Sequence, residues 1–412
     1  MRIKQNSINV ETKVKLVAAI TAVCLLGDTM LYVVLPIFGE QFGLQSLWQV
    51  GVLLSMNRFV RIPIHPFIGW FYSKYQIKTG IIIAILLTVI STFCYGWLNG
   101  FWMLFIARCI WGIAWAFLKQ GGQLQVVAAI EEKSENGGRL SGIYNSISGI
   151  GALLGMLVGG FVSTFYGPDH ILIVFAVLAF LTLFFIGRLE GSAFIESEQV
   201  EEQRVFNKDL ISLMSTGFVL TLIFQGFLKS TMSYWVGIQN YEWIPFLHTI
   251  GAATITGLLI TVKLSLDPLL VPWIGKINDR SIRGNRYLTI LTIMASSLLI
   301  LFPMRMNVII WLGMTILLLL LSTVLMTIND AKIFQQSTAH NRHKVISGYS
   351  MASDLGAAAG PLFGFSFISL IGDIATAWVT SLLLVVCALS EFMMKKFQSR
   401  GREQTVVNKE HA

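Results

Sequence analysis

Charged side chains are scarce in this chain. They make up 13% of its 412 residues, whereas apolar residues make up 55% and the mean hydropathy is +0.70. A soluble domain carries about 25% charged residues, so this composition excludes one and predicts an integral membrane protein. The first apolar run, Leu16 to Phe38, is longer than the core of a signal peptide and has no cleavage site. We therefore expect it to remain as a membrane-spanning helix.

Cysteines and catalytic motifs are also few. The sequence has no phosphate-binding loop, no H-E-x-x-H pattern, no paired cysteines and no recognisable nucleophile motif, which argues against an enzyme, ATP as the energy source, a cofactor or a metal. A net charge of +8 would suggest nucleic acid as the partner of a soluble protein, but here the cations follow the membrane topology, so we expect none. The four cysteines all fall in apolar segments, where they act as small hydrophobic residues: Cys24, Cys94, Cys109 and Cys387.

Long apolar runs dominate what is present. At about 20 residues per crossing, twelve segments are long enough to span a membrane. With the N-terminus placed inside, most Lys and Arg fall in inner segments and only Arg305 falls in an outer loop. This asymmetry predicts a multi-pass protein of the cell inner (cytoplasmic) membrane with both termini cytoplasmic. The predicted spans are 15–38, 47–72, 78–98, 101–124, 140–166, 170–189, 209–235, 243–272, 287–304, 308–330, 346–371 and 374–394.

The longest polar connection, 190–208, is rich in Glu and Gln and divides the spans into two sets of six. We predict an N-terminal six-helix half at 1–189, a cytoplasmic linker at 190–208, a C-terminal half at 209–396 and a cytoplasmic tail at 397–412. Internal repetition supports the division: HPFIGWFYSK at 65–74 aligns without gaps on VPWIGKINDR at 271–280, and the same offset aligns SG at 141–142 with SG at 347–348. These matches indicate a duplicated, pseudo-symmetric all-α membrane fold of twelve transmembrane helices.

Two loop motifs and one helix motif carry a family resemblance. The loop after the eighth span contains Gly275, Asp279 and Arg280 in the pattern G-x3-D-R-x2-R-G-x-R, which resembles the loop motif of the major facilitator superfamily. The loop after the second span, with Gly69 and Lys74, is a weaker copy in which a serine replaces the usual acid. In the fourth span, L-x3-R-x3-G at 104–112 resembles the superfamily's membrane arginine motif. The whole chain therefore resembles a twelve-helix transporter of that superfamily, in its drug/proton antiporter group.

The fifth span is rich in glycine, and small residues allow two membrane helices to pack closely. It resembles the glycine motif of the superfamily's proton-coupled antiporters, except that Met156 stands where they have proline. The repeat places Gly360 and Pro361 at the related position of the eleventh span, and we expect bending there to substitute for bending in the fifth. The glycines of the fifth span are Gly142, Gly151, Gly155, Gly159 and Gly160.

Several charged residues are predicted within the membrane, where each costs several kcal/mol and is a functional candidate by default. Asp28, Arg58, Arg61, Arg108 and Asp354 lie deepest. Another set falls nearer the ends of spans, where we expect snorkelling or loop contacts: Lys119, Lys229, Lys263, Asp267, Asp330 and Glu391.

Asp28 is the predicted proton-carrying group. Burial disfavours a charged carboxylate and a nearby guanidinium favours it, so a change in its surroundings can switch its protonation. The resemblance implies that the first and fourth helices line a central cavity, which would bring Arg108 within reach of Asp28. The alternative is a static pair that only fixes helix packing.

Cations exceed acids among the deepest charges. There are three positive charges, on Arg58, Arg61 and Arg108, against two negative charges, on Asp28 and Asp354. This excess favours a substrate with carboxylate or other acidic groups, such as a carboxylate-rich metallophore. Alternatively, Arg61 pairs with Asp354 across the two halves.

Two tryptophans share a helical face with the arginine of the fourth span. Trp111 and Trp115 follow Arg108 at spacings of three and seven. They are candidates for an aromatic wall of the binding cavity, or for packing against a neighbouring helix.

These observations predict a secondary active transporter that exports a small organic molecule in exchange for protons by alternating access. Its expected partners are the substrate, protons and the lipid bilayer, and we expect a monomer. The alternatives are a proton-coupled uptake symporter and a transporter-like sensor that does not transport.

Overall fold

The computed structural model describes residues 10–133, 137–189, 208–239, 245–280, 284–336 and 342–389. In these ranges the chain is built from helices joined by short connections. The first six are α1 (Val10–Phe38), α2 (Leu47–Lys74), α3 (Ile77–Trp97), α4 (Phe101–Lys133), α5 (Gly137–Tyr166) and α6 (Pro168–Leu181), which a 3-10 segment, Thr182–Arg188, continues.

The next six helices include two irregular ones. α7 runs through Lys208–Leu220, a π-helical segment Thr221–Leu228, and Lys229–Gly237. α8 (Pro245–Arg280) is interrupted at Gly251, whose φ of 69° lies in the left-handed region. The remaining helices are α9 (Gly284–Leu301), α10 (Val308–Gln336), α11 (Arg342–Ile371) and α12 (Asp373–Leu389). The predicted all-α architecture of twelve helices is confirmed.

Eight of the described helices are long and apolar enough to cross a membrane. α2 is not among them because polar residues interrupt it, notably Asn57, Arg58 and Arg61. Large apolar side chains are exposed along α5, for example at Phe161 and Phe165. Such exposure is uncommon on a soluble protein and is expected where a helix faces lipid.

The chain forms two compact units. The first unit comprises residues 1–202 and 230–261, and the second unit comprises 203–229 and 262–412. The boundary between the two units passes through α7 and α8, and the division into two six-helix halves at 190–208 stays a prediction. Most of the predicted linker and all of the predicted tail lie outside the described residues.

In the first unit, α5 packs on α1 through its glycines. A Cβ atom at Gly151 would overlap the backbone of Ala22, and one at Gly155 would lie 2.5 Å from the carbonyl oxygen of Leu26. One turn further, a Cβ at Gly159 would lie 2.8 Å from the Cβ of Met30. Only glycine permits this distance between the two backbones. Gly142, by contrast, faces open space.

The following glycine of α5 packs elsewhere. A Cβ at Gly160 would lie 2.8 Å from the carbonyl oxygen of Ala253, in the part of α8 that belongs to the first unit. The glycine-rich segment therefore contacts two helices.

In the second unit, α11 packs on α7 in the same way. A Cβ at Gly356 would overlap the carbonyl oxygen of Phe218, and one at Gly360 would overlap the backbone of Leu222 and Gly226. The part of the contact made by Gly360 falls on the π-helical segment. α11 itself continues as one helix through Pro361, so the irregular backbone at this crossing belongs to α7. Whether Pro361 substitutes for a bend in α5 stays a prediction.

Candidate functional site

A buried ion pair joins α1 and α4 in the first unit. The Arg108 guanidinium donates through Nη1 to Asp28 Oδ1, and the exposed fractions of the two side chains are 1% and 9%. The structure therefore brings together the two residues predicted to couple protons. A charge removed from water to this degree persists only with a partner, and each residue supplies the other's.

α2 completes the surroundings of this pair. Asn57 donates through Nδ2 to Asp28 Oδ1 at 3.2 Å, and Arg108 Nε donates to the Leu53 carbonyl at 2.8 Å. α4 approaches closely because residue 112 is glycine: a Cβ at Gly112 would lie 2.6 Å from the Asn57 carbonyl oxygen. The glycine of the arginine motif, Gly112, thus has a packing role. Sequence reasoning did not predict the hydrogen bond of Asn57 to Asp28.

Two tyrosine rings flank the guanidinium. The Arg108 Cζ atom lies 5.9 Å from the centre of the Tyr32 ring and 6.0 Å from that of Tyr95, distances at which cation–π attraction contributes. Both rings are nearly fully buried. The cation is thus held by a carboxylate, a backbone carbonyl and two aromatic faces.

Two further arginines, both on α2, lie beside this site. Arg58 Nε donates to the Tyr32 hydroxyl at 3.5 Å, and the buried Arg61 donates through Nε to the Asn57 carbonyl at 3.2 Å. Asp354 is half-buried on α11 in the second unit. The proposed roles of these residues in substrate binding, and the alternative Arg61–Asp354 pair, stay predictions.

The two tryptophans of α4 differ in burial. Trp111 is 1% exposed, whereas Trp115 is partly exposed, and their rings stack with centroids 6.4 Å apart. Helix packing accounts for Trp111, while Trp115 keeps a surface that a ligand could contact.

The predicted loop motifs are only partly described. Lys74 Nζ lies 4.8 Å from the centre of the Trp70 ring, and Ser73 Oγ donates to the Trp70 carbonyl at 2.7 Å, so both polar groups at the end of α2 have contacts within that helix. Gly69 lies on the same helix, with Gln120 of α4 as its neighbour. The backbone at Gly275, Asp279 and Arg280 is helical, and the side chains of Asp279 and Arg280 lie outside the described residues.

A second ion pair lies in the second unit. Lys263 Nζ is 2.9 Å from Asp267 Oδ2 along α8, and Thr323 of α10 donates to Asp267 Oδ1 at 2.7 Å. Both charged side chains are about one quarter exposed, at 23% and 24%. Sequence reasoning missed Thr323, since a threonine in an apolar span carries no distinctive signal.

A tyrosine binds a third acid in the second unit. The Tyr349 hydroxyl of α11 donates to Asp330 Oδ1 of α10, and Asn329 Nδ2 donates to the same hydroxyl at 3.2 Å. The Tyr349 ring lies against Gly217 of α7, where a side chain would collide with it. One residue therefore links three helices. The sequence placed Asp330 near a helix end but gave it no partner.

Among the described residues, no three His, Cys, Asp or Glu side chains come together as metal ligands. The described cysteines form no disulfide with one another and lie on separate helices. Ion pairs and polar contacts within the helix bundle therefore provide the candidate chemistry, a pattern typical of membrane transporters.

The Major Facilitator Superfamily model matches residues 17–329, and the chain belongs to this family. The resemblance predicted from the motifs is confirmed: the protein is a multi-pass membrane transporter and not an enzyme.

Three curated relatives illustrate the similarity. The multidrug resistance protein MdtG of Dickeya zeae is 26% identical over 392 residues, covering 89% of this chain and 90% of the relative. The class H tetracycline resistance protein of Pasteurella multocida is 24% identical, covering 64% and 73%. The vesicular acetylcholine transporter of Drosophila melanogaster is also 24% identical, covering 58% of this chain but only 43% of its own length.

Solved structures share the fold at low sequence identity. The nucleoside transporter NupG superposes with a TM-score of 0.72 at 13% identity, covering 94% of this chain and 100% of that chain. A bacterial homologue of the lysosomal transporter Spinster, in an inward-facing and unoccupied conformation, gives 0.73 at 13% identity, covering 94% and 97%. These matches support the fold alone.

Proposed function

We propose that this protein exports a small organic solute across the cytoplasmic membrane in exchange for protons, by alternating access, with Asp28 as the proton-carrying group. The observation that carries the proposal is the buried contact of Asp28 with Arg108 inside an apolar bundle. Relatives named for multidrug and tetracycline resistance support the outward direction. The orientation with both termini in the cytoplasm is part of the proposal.

The geometry suggests how protonation alters the site. Asp28 Oδ1 accepts hydrogen bonds from both Arg108 and Asn57. A proton on the carboxyl group removes its charge, so both bonds weaken and the pairing between α1 and α4 loosens. The guanidinium keeps its bond to the Leu53 carbonyl. Protonation therefore changes the contact between two helices without releasing the arginine from α2.

Proton-coupled uptake is the alternative hypothesis. It is supported by Met156, which stands where the proton-coupled antiporters have proline. The two hypotheses are distinguished with purified protein reconstituted into vesicles that contain a pH-sensitive dye. The directions of proton movement and of probe movement are measured, with tetracycline, ethidium and carboxyfluorescein as the probes. Movement of probe and protons in opposite directions supports exchange. Movement in the same direction supports uptake, and no movement of either supports a sensor.

The Asp28→Asn variant tests the assigned residue. It cannot ionise, so we expect loss of proton-driven transport. Its amide oxygen can still accept from Arg108, which also keeps the Leu53 carbonyl, so we expect normal expression and folding. Asp169→Asn is the matched control, because Asp169 is exposed in the first turn of α6; it should behave as wild type. Transport with normal pH dependence in Asp28→Asn would remove Asp28 from the mechanism and leave the static pair.

A further inference from the structure

The ion pair of α8 lies deeper in the bundle than its sequence position suggested. Asp267 is bonded to Thr323, which lies midway along α10, about 20 Å from either end at about 1.5 Å per residue. α8 itself continues past Asp267 to Arg280. The Lys263–Asp267 pair is therefore level with the middle of α10, a 29-residue helix. This position does not fit a lysine that extends along the helix to reach the membrane surface.

The two partners are held unequally. Asp267 has a donor on each oxygen, from Lys263 and from Thr323, and the Thr323 side chain is 5% exposed and fixed in the bundle. Within the described part of the chain, Lys263 is held by Asp267 alone, at the end of a flexible four-carbon stem. An ammonium has three N–H donors. Lys263 is thus the member of the pair that can change partner while the carboxylate stays bound.

We propose that Lys263 binds the acidic group of the transported molecule, a carboxylate or a comparable organic anion, and that Asp267 is a positioning residue that occupies the ammonium when no substrate is present. This inference rests on the proposed transport function and specifies its substrate class. The fold has already taken the ammonium largely out of water, so exchanging one carboxylate for another adds little desolvation cost. After release, Asp267 closes on Lys263 again, and the empty carrier exposes no unpaired cation to the bilayer.

The test compares an anionic and a cationic probe. Binding of carboxyfluorescein and of ethidium is measured by fluorescence anisotropy with the full-length protein in detergent, and transport of each is measured in vesicles. For Lys263→Gln we expect anion affinity and kcat/KM to fall about tenfold, since a charged hydrogen bond is lost. Lys263→Arg should stay within about threefold of wild type because it keeps the charge. Ethidium binding should not change.

The Asp267→Asn variant distinguishes positioning from a merely structural role. Removing the competing charge should lower the KM for carboxyfluorescein several-fold, whereas a structural lesion would raise it. Arg305→Gln is the matched control, because Arg305 is the exposed cation of an outer loop; it should leave both probes unaffected.

Three results would overturn the assignment: no binding of carboxyfluorescein to the wild-type protein, unchanged anion binding in Lys263→Gln, or selective loss of ethidium in Asp267→Asn, which would mark a cation site instead. Failure of the proton-exchange proposal is separable from these. It would show as the absence of proton movement in vesicles while the Lys263-dependent anion binding in detergent persists.

Discussion

The α1–α5 contact of the first unit and the α7–α11 contact of the second unit use the same construction. In each, two glycines spaced four apart press on backbone positions that are also spaced four apart: Gly151 and Gly155 on Ala22 and Leu26, Gly356 and Gly360 on Phe218 and Leu222.

The chemistry beside these contacts differs. α1 carries a buried acid paired with Arg108, whereas the segment of α7 at the crossing is π-helical and apolar around Gln225. The ion pair described in the second unit, Lys263 with Asp267, lies on α8 and is more exposed. The two units therefore share this close packing of backbones, while each has its own arrangement of charge.

The largest contrast expected is in the stability lost when the Asp28–Arg108 pair or the Lys263–Asp267 pair is broken. Arg108→Ala leaves the buried Asp28 charge without its partner, and we expect a loss of about 3–5 kcal/mol in stability or failure to fold. Lys263→Gln acts on a pair that is about one quarter exposed, with Asp267 still bound by Thr323, so we expect less than about 1 kcal/mol. Thermal unfolding in detergent measures both. Equal losses would show that burial does not distinguish the pairs.

The next effect concerns the shared packing. Gly155→Ala and Gly360→Ala each place a methyl group against the backbone of the facing helix, and overpacking of this kind costs about 1–3 kcal/mol. The two unfolding midpoints should fall by similar amounts if the contacts are equivalent. Gly142→Ala faces open space and serves as the control, with no loss expected. If the unfolding midpoint falls for only one of the two variants, the two helix contacts are not equivalent.

The smallest contrast is between two tyrosines near the start of α5 and α11. Tyr144 donates to the Leu118 carbonyl at 3.4 Å, whereas Tyr349 donates to the Asp330 carboxylate. Hydrogen bonds to charged groups are the stronger, so Tyr349→Phe should cost about 2 kcal/mol and Tyr144→Phe about 1 kcal/mol or less. Unfolding of the two variants under one condition checks the order. The reverse order would mean that Asp330 gains little from Tyr349.

Much of the architecture follows from the sequence because its signals are local. Apolar length predicts the helices, and the spacing of Gly151, Gly155 and Gly159 predicts a close-packed face. The pairing of Asp28 with Arg108 was expected from the family resemblance, and a charge buried in lipid needs a partner somewhere in the bundle. These predictions depend on composition and spacing, which the chain displays directly.

The remaining contacts depend on how each helix is rotated and how deep it lies. Asn57 and Thr323 are common polar residues, and only the crossing of two helices aims them at Asp28 and Asp267. The sequence predicts Asp267 near the end of a span, whereas its bond to Thr323 places it level with the middle of α10, because α8 continues past it to Arg280. Neither rotation nor helix overhang is encoded in hydropathy.

The π-helical segment Thr221–Leu228 has one more consequence. A π turn accommodates about one extra residue within a helix, so every side chain that follows it is rotated by about 100° from where an uninterrupted α-helix would place it. The hydroxyl-bearing residues Ser230, Thr231 and Ser233 follow directly and are all buried. The π-helical segment therefore sets the direction in which these three hydroxyl groups point. Deleting a single residue from the segment would rotate them toward a different neighbouring helix.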